Sequence, residues 1–322
     1  MHFRSLLSAS VLATVLGITA SATASAQSAP VASTASVAMH CHTVDVDGIK
    51  IFYREAGDPG KPAILLLHGF PSSSHMYREL IPLLSPYFHV VAPDYPGSGY
   101  SDAPPESKFE PTFANLTNVM EGFVKKQILT HFVIYMQDFG GPVGFRLAVK
   151  HPEWIRGFII QNANAYLEGL SEENLKGIRE RSGKLTPQME KDVDQTVEPG
   201  FTEWMYHTGV RHPENLDPDA WNSDLRVLEN PDSRRIQRAL IINYYTNLDQ
   251  YPTWQAYLRK RQPPALIVWG KGDQVFLPAG AEAYKRDLPK AEVHFFDTGH
   301  FALEEDASGI ADQVIRFYGH QQ

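Results

Sequence analysis

An apolar run that stops at a single charged residue, with paired glycines just beyond it, constrains the fold of this chain more than any other feature. The stretch Phe132-Val-Ile-Tyr-Met-Gln-Asp138-Phe-Gly-Gly-Pro142 opens as an unbroken series of β-branched and aromatic residues, the pattern of a strand buried on both faces. After Asp138 the glycines permit a tight reversal, and a helix-like segment continues to Lys150. A strand, a sharp turn and a helix in so few residues hold the turn residue clear of both elements. That residue then stands beyond the carboxyl end of its strand, where open parallel sheets form their ligand crevices. Here it carries a carboxylate.

This strand–turn–helix is the device that presents a serine nucleophile in Gly-x-Ser-x-Gly hydrolases, and the chain contains no such serine motif. The replacement has a chemical consequence. A serine that attacks a saturated carbon yields an ether, which water does not readily cleave. A carboxylate that attacks the same carbon yields an ester, so the enzyme can turn over. Asp138 therefore points to alkyl transfer from a strained ring or a carbon–halogen bond.

The rest of the chain alternates strands and helices. Thr43–Val46 and Ile49–Ala56 form a hairpin pattern across Asp47-Gly48. Ala63–Leu67, His89–Ala92, Phe132–Met136, Gly157–Gln161, Ala265–Trp269 and Glu292–Phe296 read as further strands, with helices over Met76–Leu84, Ala114–Leu129, Gly141–Lys150, Ala279–Asp287 and Ser308–Tyr318. The expected class is α/β, a mostly parallel sheet flanked by helices. The alternation breaks between Asn164 and Arg261, where the chain is polar, helical and rich in Trp and Tyr. The expected organisation is a core of residues 43–163 and 262–322 with a helical cap of residues 164–261 inserted after the sixth strand.

Arg4, the apolar Leu6–Ala20 and the small-x-small Ala24-Ser25-Ala26 give residues 1–26 the pattern of a secretory signal, and the Ala/Ser/Pro-rich residues 27–42 read as a disordered lead-in. The expectation is an exported protein, periplasmic or secreted, with no membrane association after signal removal. Cys41 is the sole cysteine, so no internal disulfide forms. A net charge of −8 disfavours nucleic acid and anionic membranes as partners. No His-Glu-x-x-His or Gly-rich dinucleotide motif is present, and neither a metal nor an organic cofactor is expected.

Further residues converge on Asp138. His68-Gly69-Phe70-Pro71 follows a buried strand directly, and the backbone N–H groups of Phe70 and Phe139 are candidates for an oxyanion hole, with His68 as a substrate contact. His300, in Asp297-Thr-Gly-His300 after the last strand, is the candidate base that activates water against an alkyl ester. Asp273, in Gly270-Lys-Gly-Asp273, is the candidate that orients the imidazole, with Asp297 as a competitor by proximity. The chain order Asp138, Asp273, His300 is that of α/β-hydrolase triads.

With these motifs in place, the chain resembles the epoxide hydrolase and haloalkane dehalogenase branch of the α/β-hydrolases, over Thr43 to Tyr318. His68-Gly69-Phe70-Pro71 resembles the family's His-Gly-x-Pro segment, and Gln137-Asp138-Phe139-Gly140-Gly141 its Asp-Trp-Gly-Gly elbow. Met136 departs from the small residue found there in many members. Dehalogenases supply an indole N–H after the nucleophile and a second donor from Asn or a cap Trp. Phe139 and Phe70 carry no such donor, whereas Trp204 is a candidate. Epoxide opening releases an alkoxide and needs an O–H donor, a role suited to Tyr at neutral pH. Asn243-Tyr-Tyr245-Thr-Asn resembles the stretch of soluble epoxide hydrolases that carries one ring-opening Tyr, which implies that role for Tyr245. Phe201-Thr-Glu-Trp-Met-Tyr206 resembles the second, which implies Tyr206.

The reading is a hydrolase that opens epoxides of small hydrophobic molecules to diols. A haloalkane or haloacid dehalogenase with the same triad stands as the runner-up, and a non-catalytic ligand-binding protein on a hydrolase scaffold as a reading from another class.

Overall fold

The computed structural model describes residues 38–319. The proposed signal segment and most of the lead-in lie outside the described residues.

The sheet has eight strands: β1 (His40–Val46), β2 (Ile49–Ala56), β3 (Ala63–Leu67), β4 (His89–Pro93), β5 (Phe132–Gln137), β6 (Ile155–Gln161), β7 (Ala265–Gly270) and β8 (Glu292–Phe296). Their spatial order is β1-β2-β4-β3-β5-β6-β7-β8. The first two pairings are antiparallel and the rest parallel, from β4–β3 through to β8. The strands read as continuous apolar runs are buried along their length, as parallel strands covered on both faces must be. One correction falls on the lead-in. Residues 40–42 belong to β1, where His40, Cys41 and His42 pair with Glu55, Arg54 and Tyr53. That backbone pairing is invisible to composition.

In the core the helices are α1 (Leu80–Leu84), α2 (Phe113–Lys126) and α3 (Gly140–Lys150). Between β6 and β7 come α4 (Glu172–Glu180), α5 (Pro187–Thr196), α6 (Pro199–His207), α7 (Pro218–Leu228), α8 (Pro231–Asn243), α9 (Tyr245–Leu248) and α10 (Tyr251–Arg261). The core resumes with α11 (Ala279–Ala283) and α12 (Leu303–Tyr318). Thr112, Ser171, Thr186, Asp217 and Asn230 cap the starts of α2, α4, α5, α7 and α8 through their side-chain oxygens, and proline opens α5, α6, α7, α8 and α10.

Three helices differ from the pattern read in the sequence, one of them Ala279–Asp287, which is α11 followed by a 3-10 turn at Tyr284–Arg286. Met76–Leu84 is not continuous: a short 3-10 turn at Ser74–Tyr77 precedes α1. Pro82 lacks the N–H that would bond the carbonyl of Arg78. At the other end, α12 begins five residues before Ser308, with a break at Asp306 (φ −133°, ψ 36°). The extra turn brings Glu304 onto the Arg78 guanidinium, at 3.0 and 2.6 Å. That bond ties α12 to the segment before α1.

Strand order positions the site. β3 continues into β4 on one side while β5 lies on its other side, so connections leave in opposite directions at β3 and β5. That topological switch point is where a crevice opens in such sheets. Phe70, Asp138, Asn162, Asp273 and His300 follow β3, β5, β6, β7 and β8, adjacent strands in that order.

The elbow depends on close packing at Gly140, where a Cβ would stand 2.1 Å from the carbonyl oxygen of Leu67. Gly140→Ala must push α3 away from β3. Urea unfolding of this variant is predicted to show a loss on the order of 1–3 kcal/mol, with an unchanged slope.

Candidate active site

Asp138 is the residue between β5 and α3, and its backbone is left-handed, with φ at 46°. For a residue with a Cβ this costs on the order of 1–3 kcal/mol. The conformation lifts the carboxylate off the strand. The N–H of Asp138 is bonded to the Asn162 carbonyl at 3.2 Å, and that of Gly141 to the Asp138 carbonyl at 2.9 Å, which fixes the turn from both sides. The Phe70 N–H donates to Asp138 Oδ2 at 2.7 Å. Gly69 permits this approach, since a Cβ there would lie 2.4 Å from Asp138 Cβ. Asp138 is buried, and burial pushes its carboxyl up to about 6; the His300 charge and the N–H groups of Phe70 and Phe139 pull against this, and Asp273 adds to it.

His300 is buried beside it. Its Nδ1 faces Asp273 Oδ2 at 3.0 Å. Burial draws the imidazole down, but the charge and hydrogen bond of Asp273, with Asp138 behind them, outweigh burial and raise it above its ordinary value. Asp273 accepts at every side: Val275 N–H and Phe276 N–H at 2.7 and 3.0 Å on Oδ1, and Asn162 Nδ2 at 2.7 Å on the oxygen that faces His300. Asp297 is exposed and does not compete. Gln137 Nε2 lies 2.9 Å from His300 Nε2.

A carboxylate at the elbow, an imidazole beside it and a fully hydrogen-bonded second carboxylate behind the imidazole lie in the order Asp138, His300, Asp273. The α/β hydrolase fold family model matches residues 62–307. The chain is 41% identical over 281 residues to an uncharacterised hydrolase of Saccharomyces cerevisiae, covering 86% of this chain and 96% of that one. It is 36% identical over 291 residues to a haloalkane dehalogenase of Psychrobacter cryohalolentis, covering 84% of this chain and 87% of the other. Among solved structures, the epoxide hydrolase CorEH superposes with a TM-score of 0.70 at 21% identity, over 87% of this chain and 99% of that one, a likeness of fold. This chain belongs to the α/β-hydrolases. Within them it is related to the branch of haloalkane dehalogenases and epoxide hydrolases.

In this hydrolase a cavity of about 360 Å³ opens above Asp138. Its walls near the carboxylate are Phe70, Phe139, Phe201, Met205, Tyr244 and Phe276. Asn174, Arg181 and Asp192, from α4, its end and α5, line the cavity as well. A larger open groove of about 750 Å³ runs past Arg146 and Trp254 and contains no member of the Asp138–Asp273–His300 set.

Several residues picked from the sequence stand elsewhere. Tyr245 does not line the cavity above Asp138; it lines a separate depression of about 420 Å³ with Arg179 and Gln255. The cavity wall is its neighbour Tyr244. Successive helical residues point about 100° apart, so only one of two adjacent tyrosines faces a given side. The same geometry moves Tyr206. Phe201 and Met205, four residues apart, face the cavity. Tyr206 turns away, stacks on Phe301 with centroids 4.0 Å apart, and donates its hydroxyl to buried Asp224 at 2.6 Å. Trp204 is likewise not among the cavity walls and is 41% exposed. His68 is not among the cavity walls: its Nδ1–H donates to the Gly69 carbonyl at 2.9 Å and its Nε2 accepts from the Tyr95 N–H at 3.1 Å. Burial lowers it to about 4, so it stays neutral and ties β3 to the loop after β4.

The residues missed in the sequence are Tyr244, Asn162 and Gln137. Asn162 carried a signal of its own, a polar residue directly at the end of an apolar strand, in the same position as Asp138 on the next strand. Gln137 sits inside the elbow motif and is masked by it.

A buried carboxylate that ionises with difficulty destabilises the fold. The raised value of Asp138 means that stability falls as pH rises from the unfolded value, about 4, through about 6, and is flat above that. Asp138→Asn removes this cost. Thermal unfolding near pH 8 is predicted to show the variant more stable than the parent by on the order of 1–3 kcal/mol, with the gap closing below about pH 4.

Proposed function

We propose that this hydrolase opens epoxides to diols through an alkyl ester on Asp138. The observation that carries the reading is the Tyr244 hydroxyl, buried in the wall of the cavity that holds Asp138 and close enough to feel the Asp138 charge. Burial and the neighbouring Tyr251 hold it well above the ordinary phenol value, with the Asp138 charge adding to the effect, so it stays protonated and able to donate. An opening epoxide needs such a donor at its oxygen, because an alkoxide is a poor leaving group without one. No Trp side chain lines the cavity, and Phe139 and Phe70 offer only their backbone N–H groups.

In the proposed cycle the free oxygen of Asp138 attacks a ring carbon, the C–O bond of the ring breaks, and the alkoxide takes a proton from Tyr244. The other oxygen, Oδ2, rests against the Phe70 N–H. The carbonyl attacked in the second step is that of Asp138 itself. Its oxygen therefore already lies in the oxyanion hole before the reaction starts. His300 removes a proton from water, the water oxygen adds to the ester carbon, and collapse of the adduct releases the diol; the water's second proton, left on the Asp138 carboxyl, returns to the Tyr244 phenolate. Esterification removes the negative charge of Asp138, one of the groups that raise His300. The imidazole thus becomes more readily neutral at the step that needs a base.

A second reading has support from the dehalogenase relative, which is 36% identical over most of its length. A halide leaving group would be received by the same N–H groups and by Tyr244.

His300→Gln should lose ester hydrolysis and trap the intermediate. Intact mass after incubation with styrene oxide is predicted to rise by the whole epoxide, and Asp138→Asn in the same chain to abolish the gain. Tyr244→Phe is predicted to slow adduct formation from the epoxide by about 10²-fold or more. A butyl adduct from 1-bromobutane, with none from the epoxide, would give the function to the dehalogenase reading. Failure of both to add mass would reject an alkyl ester. The rate of adduct formation is predicted to fall as pH drops below about 6, because the protonated Asp138 carboxyl is no nucleophile.

A further inference from the structure

Gln137 contacts the free face of the His300 imidazole and has no role in the cycle above. Its side chain is fully buried. Its Nε2 lies 2.9 Å from His300 Nε2, while its Oε1 is buried with no hydrogen-bond partner. With Asp273 holding Nδ1–H, neutral His300 presents a lone pair at Nε2, and the Gln137 N–H donates to it. A buried carbonyl oxygen left without a partner is destabilising. It is retained here on the side chain that touches the base.

We propose that Gln137 is a positioning residue for His300, whose amide turns over as the base changes protonation state. In the resting site its N–H covers the Nε2 lone pair. Nε2 has one lone pair, so water must displace this N–H to reach it; once Nε2 has taken the water's proton it is a donor, and an amide N–H opposite it would set donor against donor. Rotation of the amide through a half-turn brings Oε1 to Nε2–H and gives the orphaned oxygen its partner. The water oxygen meanwhile forms its bond to the Asp138 ester carbon. When that adduct collapses, the departing alkoxide takes the proton from Nε2, the Asp138 carboxyl passes the water's second proton to the Tyr244 phenolate, and the amide turns back. Two features keep this geometry. Gln137 precedes Asp138 directly, so the elbow that fixes the nucleophile also fixes the amide. Gly69 leaves the space that Oε1 occupies, since a Cβ at Gly69 would lie 2.4 Å from it. The other groups facing His300 are the carboxylates of Asp273 and Asp138 and the rings of Phe276 and Phe301. Among these only Gln137 offers both a donor and an acceptor.

The inference rests on the ester-hydrolysis step proposed above, but its first test does not need turnover. Protein carrying ¹⁵N-histidine is titrated by NMR, with the His300 signal assigned by its loss in His300→Gln. A hydrogen bond to a charged group is stronger than one between neutral groups, so losing both contacts disfavours the imidazolium more than the imidazole. Gln137→Met is therefore predicted to move the His300 midpoint downward by about half a unit or more, and Gln137→Glu to move it upward. A midpoint unchanged in either folded variant overturns the proposal. The second arm is a single turnover with styrene oxide. Gln137→Met should form the adduct at close to the parental rate and hydrolyse it about tenfold more slowly or worse. Equal slowing of both steps would mark a merely structural role and overturn the proposal. Absence of an adduct in the parent and in every variant would reject the epoxide reading, while the titration still decides the role of Gln137.

Discussion

The hydrogen bond from the Phe70 N–H to Asp138 Oδ2, 2.7 Å across the crevice between β3 and β5, is the contact on which the rest of this site depends. It joins two strands that lie side by side but are far apart in sequence, and it forms only because the Asp138 backbone is left-handed and Gly69 and Gly140 let the chain segments approach. It also assigns unlike roles to two chemically identical oxygens. One is held by the Phe70 N–H; in the proposed cycle the other attacks. A serine at the same turn has a single oxygen and cannot be divided in this way.

The electrostatics follow from the same burial. A carboxylate with so little water would remain protonated near neutrality without compensation, and it is compensated by His300 and by two backbone N–H groups. His300 is in turn raised by two carboxylates, of which Asp273 is fully hydrogen-bonded and invariant through the proposed cycle. Of these two carboxylates, only Asp138 changes charge in the proposed cycle. The first step, by turning a carboxylate into a neutral ester, prepares the base for the second. The coupling is local and needs no movement of α4, α5, α6 and α8, which line the cavity.

Much of this arrangement was legible in the sequence, because the strongest signals were local. The buried strands appear as unbroken apolar runs, Asp47-Gly48 marks the hairpin, and the abrupt end of β5 at Asp138 identifies the elbow without reference to distant residues. The end of each strand also marks where Asp273 and His300 stand, and the sheet order then brings them together. The tyrosines were not legible to one residue. Tyr244 and Tyr245 are equal in composition and spacing, and the choice between them depends on how α8 meets α9 at the cavity wall, a matter of helix rotation set by packing. Tyr206 was displaced from its expected place by the same cause, and Asp224 receives its hydroxyl. Asn162 was marked only by its place at the end of an apolar strand, and Gln137 was masked by the elbow motif around it; the partners of both lie far along the chain.

The claim at the centre of this account is that Asp138, not water, makes the first bond to the substrate carbon. Oxygen tracing tests it most directly. With enzyme in excess over styrene oxide, a single turnover in H₂¹⁸O should give product free of ¹⁸O, because its new oxygen comes from Asp138, and the peptide bearing Asp138 should gain the heavy atom. Product labelled in that first turnover, with an unlabelled Asp138 peptide, would mean that water attacks the substrate directly and would contradict the account.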